Sequence, residues 1–150
     1  MAITIEAKNK LAIGKRNEFV IWAYLLTEGI DVFPALVDDK GIDGVVGYKG
    51  RYFEVQVKSG ENWNNQRGLS RKAVSHNPER IFLIYNTTLD EVRYLTGAQI
   101  LDEPAWDLSI DWSPAQIKLP KAMLDKYKSH DWDGFIAYLK TPREEQTLKQ

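Results

Sequence analysis

The sequence predicts an α/β (α+β) domain in which a mixed central β-sheet is flanked by helices. Three features indicate it: an amphipathic helix before the first strand, an alternating β-hairpin around Lys49-Gly50, and two further apolar strands ahead of a final helix. At 150 residues the chain suits one domain over residues 1–150, with a less regular helical extension from about residue 100.

The composition is that of an ordinary globular protein, with 43% hydrophobic and 27% charged residues. The absence of cysteine excludes disulfides, cysteine zinc sites and thiol catalysis. Residues 1–10 lack the apolar segment of a signal peptide, and the longest apolar run, Phe19 to Leu26, is too short to span a bilayer. These observations predict a cytoplasmic protein without a membrane partner.

The first predicted helix runs from about Ile13 to Glu28 and ends at Gly29. We expect its apolar stripe to consist of Phe19, Trp22, Ala23, Leu25 and Leu26. Ile30 to Val37 is apolar and β-branched enough for a strand, in which Pro34 favours an edge position or a bend.

The elements after the hairpin are set by turn signals and apolar runs. Ser59 to Asn65 is polar and loop-like, and Ser70 to Asn77 is a predicted helix that Pro78 ends. Arg80 to Thr87 is a predicted buried strand that pairs with Glu91 to Thr96. A last helix is expected over Asp131 to Lys140, with one apolar face made of Trp132, Phe135, Ile136 and Leu139.

The hairpin has a register that the sequence itself predicts. If Lys49 and Gly50 form a two-residue turn, Tyr48 faces Arg51 and Asp43 lies directly opposite Gln56. Because side chains alternate along a strand, Glu54 and Lys58 point the same way as Gln56. The opposite face is apolar and contains Val46, Tyr48, Phe53, Val55 and Val57.

The polar face of this hairpin suits metal-assisted hydrolysis of a phosphodiester. The Asp43 carboxylate, the Gln56 amide oxygen and the Val57 backbone carbonyl are oxygen ligands of the kind that Mg²⁺ or Mn²⁺ prefers. The Lys58 ammonium would orient the attacking water and stabilise negative charge on the phosphate. Glu54 either touches the metal or forms a surface ion pair. The alternative for the whole set is a solvent-facing polar strand.

At these residues the sequence resembles the PD-(D/E)XK nuclease superfamily. Asp43, followed by Gln56-Val57-Lys58, is most similar to the branch with glutamine in the acidic position, as in Mrr-type and Holliday-junction-resolvase-like endonucleases. Residues 14–18 (Gly-Lys-Arg-Asn-Glu), then Gly29 and residues 41–43 (Gly-Ile-Asp), follow the family's order. Ile42 replaces the family's proline, and Gln56 should bind a cation more weakly than an acid.

The resemblance covers residues 14–59 best, and it implies a restriction-endonuclease-like three-layer core. It also implies that Glu18 helps to hold the metal or its water. The implied function is a metal-dependent endonuclease that hydrolyses DNA in restriction, repair or recombination. The alternative is a catalytically inactive nucleic-acid-binding or protein-interaction module on the same fold.

The net charge of −1 does not by itself indicate a nucleic-acid partner. Contacts to the nucleic-acid backbone are assigned to Lys15, Arg67, Arg71 and Lys72, with Trp63 as a base-stacking side chain. Solvated surface charges are the alternative for these residues. DNA is the expected partner, while RNA as the substrate and a homodimer as the assembly stay open.

Overall fold

A computed structural model describes residues 9–37, 41–63, 68–103 and 116–142. Within these ranges the helices are α1 (Lys10–Thr27), α2 (Arg71–His76), α3 (Gly97–Asp102), α4 (Lys121–Lys126) and α5 (Trp132–Lys140). The strands are β1 (Asp31–Pro34), β2 (Gly44–Tyr48), β3 (Arg51–Gly60), β4 (Gly68–Ser70), β5 (Ile81–Asn86), β6 (Glu91–Thr96) and β7 (Gln116–Lys118). None of the helices in these ranges is both long enough and apolar enough to cross a membrane.

The central sheet is mixed, as the sequence predicts. Its five strands lie in the order β1-β2-β3-β5-β6, and β3 and β5 are parallel whereas the other neighbouring pairs are antiparallel. β1 occupies an edge and ends at Pro34, which confirms the edge position expected of a strand that contains proline. β4 and β7 form a separate two-stranded sheet, which the sequence did not predict.

Helix α1 begins and ends where local signals place it, but its buried face was predicted only in part, since Trp22 and Leu25 are buried as expected. The Asn9 side chain accepts the Ala12 N–H, so the helix starts three residues before the expected Ile13. At its end Gly29 has a φ of 79°, and the Ile30 N–H donates to the Leu25 carbonyl in a Schellman arrangement. Phe19 and Leu26, which were expected in the buried apolar stripe, are exposed.

The buried residues of α1 are Asn17, Val20, Ile21, Trp22 and Leu25. The apolar run from Phe19 to Leu26 surrounds the helix almost completely, so the sequence pattern alone could not fix which side meets the sheet.

Within the ladder that the two strands form, the hairpin has the predicted register. The expected pairing of Asp43 with Gln56 lies beyond that ladder, because the Asp43 N–H donates to the Val55 carbonyl. Tyr48 pairs with Arg51, and the ladder continues to Gly44 opposite Val55. Lys49 and Gly50 both have positive φ, 50° and 81°, as a type I′ turn requires. Turn chemistry and alternation were therefore sufficient to define this element.

Two cores lie on the two faces of the sheet and make three layers. The first core is built with α1 and α5 and includes Val55, Val57, Leu83, Phe135 and Leu139. The second core includes Phe82 and Ile84 and is covered by α2, α3, α4 and the small sheet. Gln56 and Lys58 are paired in register with Phe82 and Ile84, so they lie on the second face.

Candidate active site

Asp43 lies where β2 and β3 separate. It precedes the first residue of β2, and its backbone N–H donates to the Val55 carbonyl at 2.9 Å. Its carboxylate Oδ2 accepts the Val57 N–H at 2.6 Å, in the position that a backbone carbonyl would occupy if β2 continued. The side chain is therefore buried at the strand edge, with Asp43 only 5% exposed and bonded to residues on both sides of Gln56.

Gln56 is 8% exposed and lies on the face of the sheet opposite α1. Its Oε1 atom is buried, and among the described residues no donor forms a hydrogen bond with it. Gly41, at a φ of 73°, packs directly over the amide, since a Cβ built there would lie 3.4 Å from Oε1 and 3.3 Å from Ala73 Cβ. The loop before Asp43 thus needs glycine to close over Gln56.

The backbone carbonyl of Val57 shares the edge at which Asp43 is held. In a strand, the N–H and C=O of one residue point to the same side, and the Val57 N–H points at the Asp43 carboxylate. The Val57 carbonyl therefore faces the gap beyond the end of β2. Lys58 follows on the face that carries Gln56 and is half-buried.

Glu18 belongs to α1, which packs on the face of the sheet opposite to Gln56 and Lys58. Trp22 covers Gly44, where a built Cβ would lie 3.0 Å from Trp22 Cζ2, and Asn17 Nδ2 donates to Ser59 Oγ at 2.9 Å. Because Glu18 is one helical turn before Trp22 and adjacent to Asn17, it stands between these two contacts. Its side chain is 13% exposed, and Oε2 lies 2.9 Å from Lys15 Nζ.

The Glu54 side chain forms an ion pair with Arg80. Its Oε2 lies 3.0 Å from Arg80 Nε and 2.9 Å from Arg80 Nη2, and the Arg80 side chain is fully buried. Arg80 Nη1 also donates to the Ala73 carbonyl at 3.0 Å, which fastens α2 to β3. Of the two alternatives for Glu54, ion pairing is the one observed, although its partner is buried rather than at the surface.

The four basic residues assigned to nucleic-acid contact differ in their surroundings. Lys15 is paired with Glu18, while Arg71 and Lys72 lie in the first turn of α2, next to the Ala73 that touches Gly41. Lys72 is exposed and Arg71 is half-buried. Arg67 lies outside the described residues.

Trp63 is not the free stacking side chain that the sequence suggested. It is half-buried and packs against the second core, and the Arg93 guanidinium lies 5.0 Å from its ring centroid. The polarity of the surrounding sequence concealed this packing, because the partners come from strands β5 and β6 rather than from neighbouring residues.

Asn17 and Ser59, the pair that ties α1 to β3, were not predicted from the sequence to have a role. A signal for Asn17 does exist, since it occupies the helical position before Ile21 and Leu25, both of which are fully buried. A polar residue in the apolar stripe of a helix needs a specific partner. Only the fold identifies that partner, 42 residues away.

The potential metal ligands contributed by Asp43, Gln56 and Val57 are oxygen atoms, and only the Asp43 carboxylate among them carries a negative charge. Among the described residues, no three histidine, aspartate or glutamate side chains form a cluster able to hold a metal ion. A cation at this site would therefore depend on the Asp43 carboxylate together with neutral oxygens from Gln56 and Val57. The buried and unpartnered Gln56 Oε1 fits such a ligand, because a cation would supply the missing interaction.

Comparison with solved structures finds this architecture in nucleases. Hjc, a Holliday junction resolvase from Archaeoglobus fulgidus, matches with a TM-score of 0.57 and 15% identity, over 76% of this chain and 88% of its own. A bacterial homing endonuclease matches with a TM-score of 0.57 and 16% identity, over 96% of this chain and 100% of its own.

No protein-family model and no curated protein sequence matches the chain. At these identities the likeness to the two nucleases concerns the fold. This chain contributes a mixed five-stranded sheet with helices on both faces to that likeness. The chain has the fold of these two nucleases, which agrees with the three-layer core that the sequence resemblance implied.

Proposed function

We propose that this protein is a metal-dependent endonuclease that hydrolyses phosphodiester bonds of DNA, in restriction, repair or recombination. The observation that carries the proposal is the buried Gln56 Oε1, which lacks a donor among the described residues and lies beside the strand edge where Asp43 is fixed. An unsatisfied buried acceptor costs about 1–3 kcal/mol, so its presence favours a ligand for which it is kept.

The donor set is suited to a hard divalent cation. The Asp43 carboxylate, the Gln56 amide oxygen and the Val57 carbonyl would hold Mg²⁺ or Mn²⁺, and Glu18 would contact the metal or one of its waters from the α1 side. When bound, the metal polarises the phosphate and lowers the pKa of a coordinated water. Asp43 is preorganised for this role, because its bond to the Val57 N–H fixes the carboxylate.

Lys58 supplies the positive charge of the site. It follows Gln56 by two residues on the same face, and no ion-pair partner for its ammonium is found within the described ranges. A protonated amine here orients the attacking water and stabilises the negative charge that grows on the phosphate in the transition state.

DNA is the proposed substrate. The two structural neighbours are a Holliday junction resolvase and a homing endonuclease, and the same architecture supports the same substrate class here. Arg71 and Lys72 on α2 would contact phosphates beside the Gly41 loop, and Lys15 and Arg67 complete the proposed backbone contacts. Competition between matched DNA and RNA strands would separate the two nucleic acids.

Cleavage assays with matched variants test the proposal. We expect Mg²⁺- or Mn²⁺-dependent cleavage of DNA, with Asp43→Asn and Lys58→Met each lowering kcat at least about 100-fold. Asp102→Asn and Lys128→Met change an exposed acid and an exposed lysine elsewhere, and they should cleave normally. Cleavage that both Asp43→Asn and Lys58→Met leave intact would refute the assigned site.

A catalytically inactive nucleic-acid-binding module is the second candidate. It is favoured by the lack, among the described residues, of a cluster of three acidic or histidine side chains. It predicts salt-dependent DNA binding without cleavage, and binding that Asp43→Asn does not weaken. Metal-dependent cleavage by the wild-type chain would exclude it.

A further inference from the structure

A buried amide connects the first helix to the third strand beside the proposed site. Asn17 on α1 is 5% exposed, and its Nδ2 donates to Ser59 Oγ at 2.9 Å. Ser59 is the residue directly after Lys58, and Asn17 is the residue directly before Glu18. The bond therefore joins the immediate neighbours of two proposed site residues.

Apolar side chains make a large share of the contact between α1 and the sheet. Ile21, Trp22 and Leu25 enter the first core, where burial favours contact but does not fix a helix to a particular position along its axis. A hydrogen bond between two buried or half-buried polar groups has a defined length and direction. Asn17 thus adds a directional contact to the apolar packing of α1 on the sheet.

We infer that Asn17 is a positioning residue of the proposed nuclease site, where its bond to Ser59 sets the distance from Glu18 to Gln56 and Lys58. This inference rests on the proposed function. Glu18 belongs to α1, whereas Gln56 and Lys58 belong to β3, so the spacing of these proposed site residues depends on how α1 is seated on that strand. A misplacement of about 1 Å in such a group can lower a rate about 100-fold.

The test substitutes each partner of the Asn17–Ser59 hydrogen bond in turn, in the whole chain. Asn17→Ala, Ser59→Ala and the double variant would be compared for kcat and KM in Mn²⁺-dependent DNA cleavage and for Mn²⁺ affinity by calorimetry. Ser59→Thr keeps a hydroxyl at the same position and serves as the conservative variant. Thr96→Ala is the matched control, because Thr96 is a 4% exposed side chain whose single cap bond lies at the far end of β6.

We expect Asn17→Ala and Ser59→Ala each to lower kcat about 10–100-fold, and the double variant to lose no more than either single variant. Ser59→Thr should restore most of kcat. Thr96→Ala should lose stability while kcat stays unchanged. If Asn17→Ala fails to fold, Ser59→Ala removes the same bond from a half-buried position on the strand.

Unchanged kcat in Asn17→Ala and Ser59→Ala, with a loss of stability like that of Thr96→Ala, would overturn the inference and leave the proposed function standing. Equal losses of kcat in Ser59→Thr and Ser59→Ala would also overturn it. A wild-type chain that neither binds Mn²⁺ nor cleaves DNA would overturn the proposed function and the inference together. The two failures are therefore distinguishable.

Discussion

Glu54 and Gln56 lie two residues apart on the same face of β3, and their side-chain oxygens differ in whether they have a hydrogen-bonding partner. The Glu54 carboxylate meets a fully buried arginine, with Oε2 3.0 Å from Arg80 Nε. The Gln56 amide oxygen is buried as well, but no donor among the described residues reaches it. The Glu54 carboxylate is compensated by an ion pair within the fold, whereas the Gln56 oxygen has no such partner among the described residues and is the proposed metal ligand.

The difference teaches how to separate a structural polar residue from a functional one. Burying a polar atom costs free energy unless a partner compensates it, and most buried polar atoms in proteins are compensated. At Glu54 the compensation also fastens α2 to β3 through the Arg80 bond to the Ala73 carbonyl. At Gln56 the cost remains in the folded protein, which is typical of sites where stability is exchanged for activity.

The largest expected effect follows from removing the compensated group. Glu54→Leu would leave the Arg80 guanidinium buried without this carboxylate, which should lower the free energy of unfolding by about 3–5 kcal/mol. Urea denaturation of the variant and the wild type measures the change. A loss below about 1 kcal/mol would contradict the structural role of the pair.

The control for Glu54→Leu is the double variant with Arg80→Met. Replacing both charges by apolar side chains of similar size removes the uncompensated charge, so most of the lost stability should return. A double variant that is less stable than Glu54→Leu would show that Arg80 stabilises the fold mainly through its other contacts.

The same substitution at the neighbouring position should act with the opposite sign. Gln56→Leu removes a buried acceptor without a donor, so the free energy of unfolding should stay unchanged or rise by up to about 1–3 kcal/mol. Metal binding and cleavage should be lost at the same time. Denaturation and Mn²⁺ calorimetry on one preparation give both results, and a destabilised variant would show that Gln56 is a structural residue after all.

A smaller effect is expected at the loop that covers Gln56. Gly41→Ala places an alanine at a φ of 73°, which costs about 1–2 kcal/mol, and its methyl group would meet Gln56 Oε1 at 3.4 Å. Gly50→Ala is the matched control, since its φ is 81° but a Cβ there would meet nothing within 4 Å. Both variants should lose similar stability, and only Gly41→Ala should weaken Mn²⁺ binding.

The hairpin that carries this contrast could be predicted from sequence because its signals are local. The Lys49-Gly50 turn fixes the register, and strict alternation then assigns every side chain of β2 and β3 to a face. The end of α1 at Gly29 and the strand pair β5-β6 were predicted for similar reasons, as was the helix α5. The placement of Asp43, Gln56 and Lys58 around one cation remains a prediction.

The features that sequence did not provide depend on contacts between distant parts of the chain. β4 and β7 are three-residue strands that pair across more than 40 residues, and α3 and α4 have only six residues each, too few for a helical period to be recognised. Arg80, at the start of the predicted buried strand, is completely buried although it carries a charge. Its burial depends on meeting Glu54 across two strands that are neighbours only in the folded protein.

The smallest expected effect concerns Tyr94, a buried titratable side chain in the first core, on the face of the sheet opposite to Gln56. Tyr94 is not part of the proposed site. Burial, together with the nearby Tyr138 and Asp131, raises the pKa of Tyr94 to about 12 from its usual value near 10. The folded state therefore holds the phenolic proton more strongly than the unfolded chain does, so this contribution to stability is complete below pH 10 and is lost between about pH 10 and 12. Tyr94→Phe should flatten the pH dependence of the unfolding midpoint in that interval, without changing Mn²⁺ binding at neutral pH. An unchanged slope would show that burial does not hold this phenol neutral, and a change in Mn²⁺ affinity would extend the proposed site to the other side of the sheet.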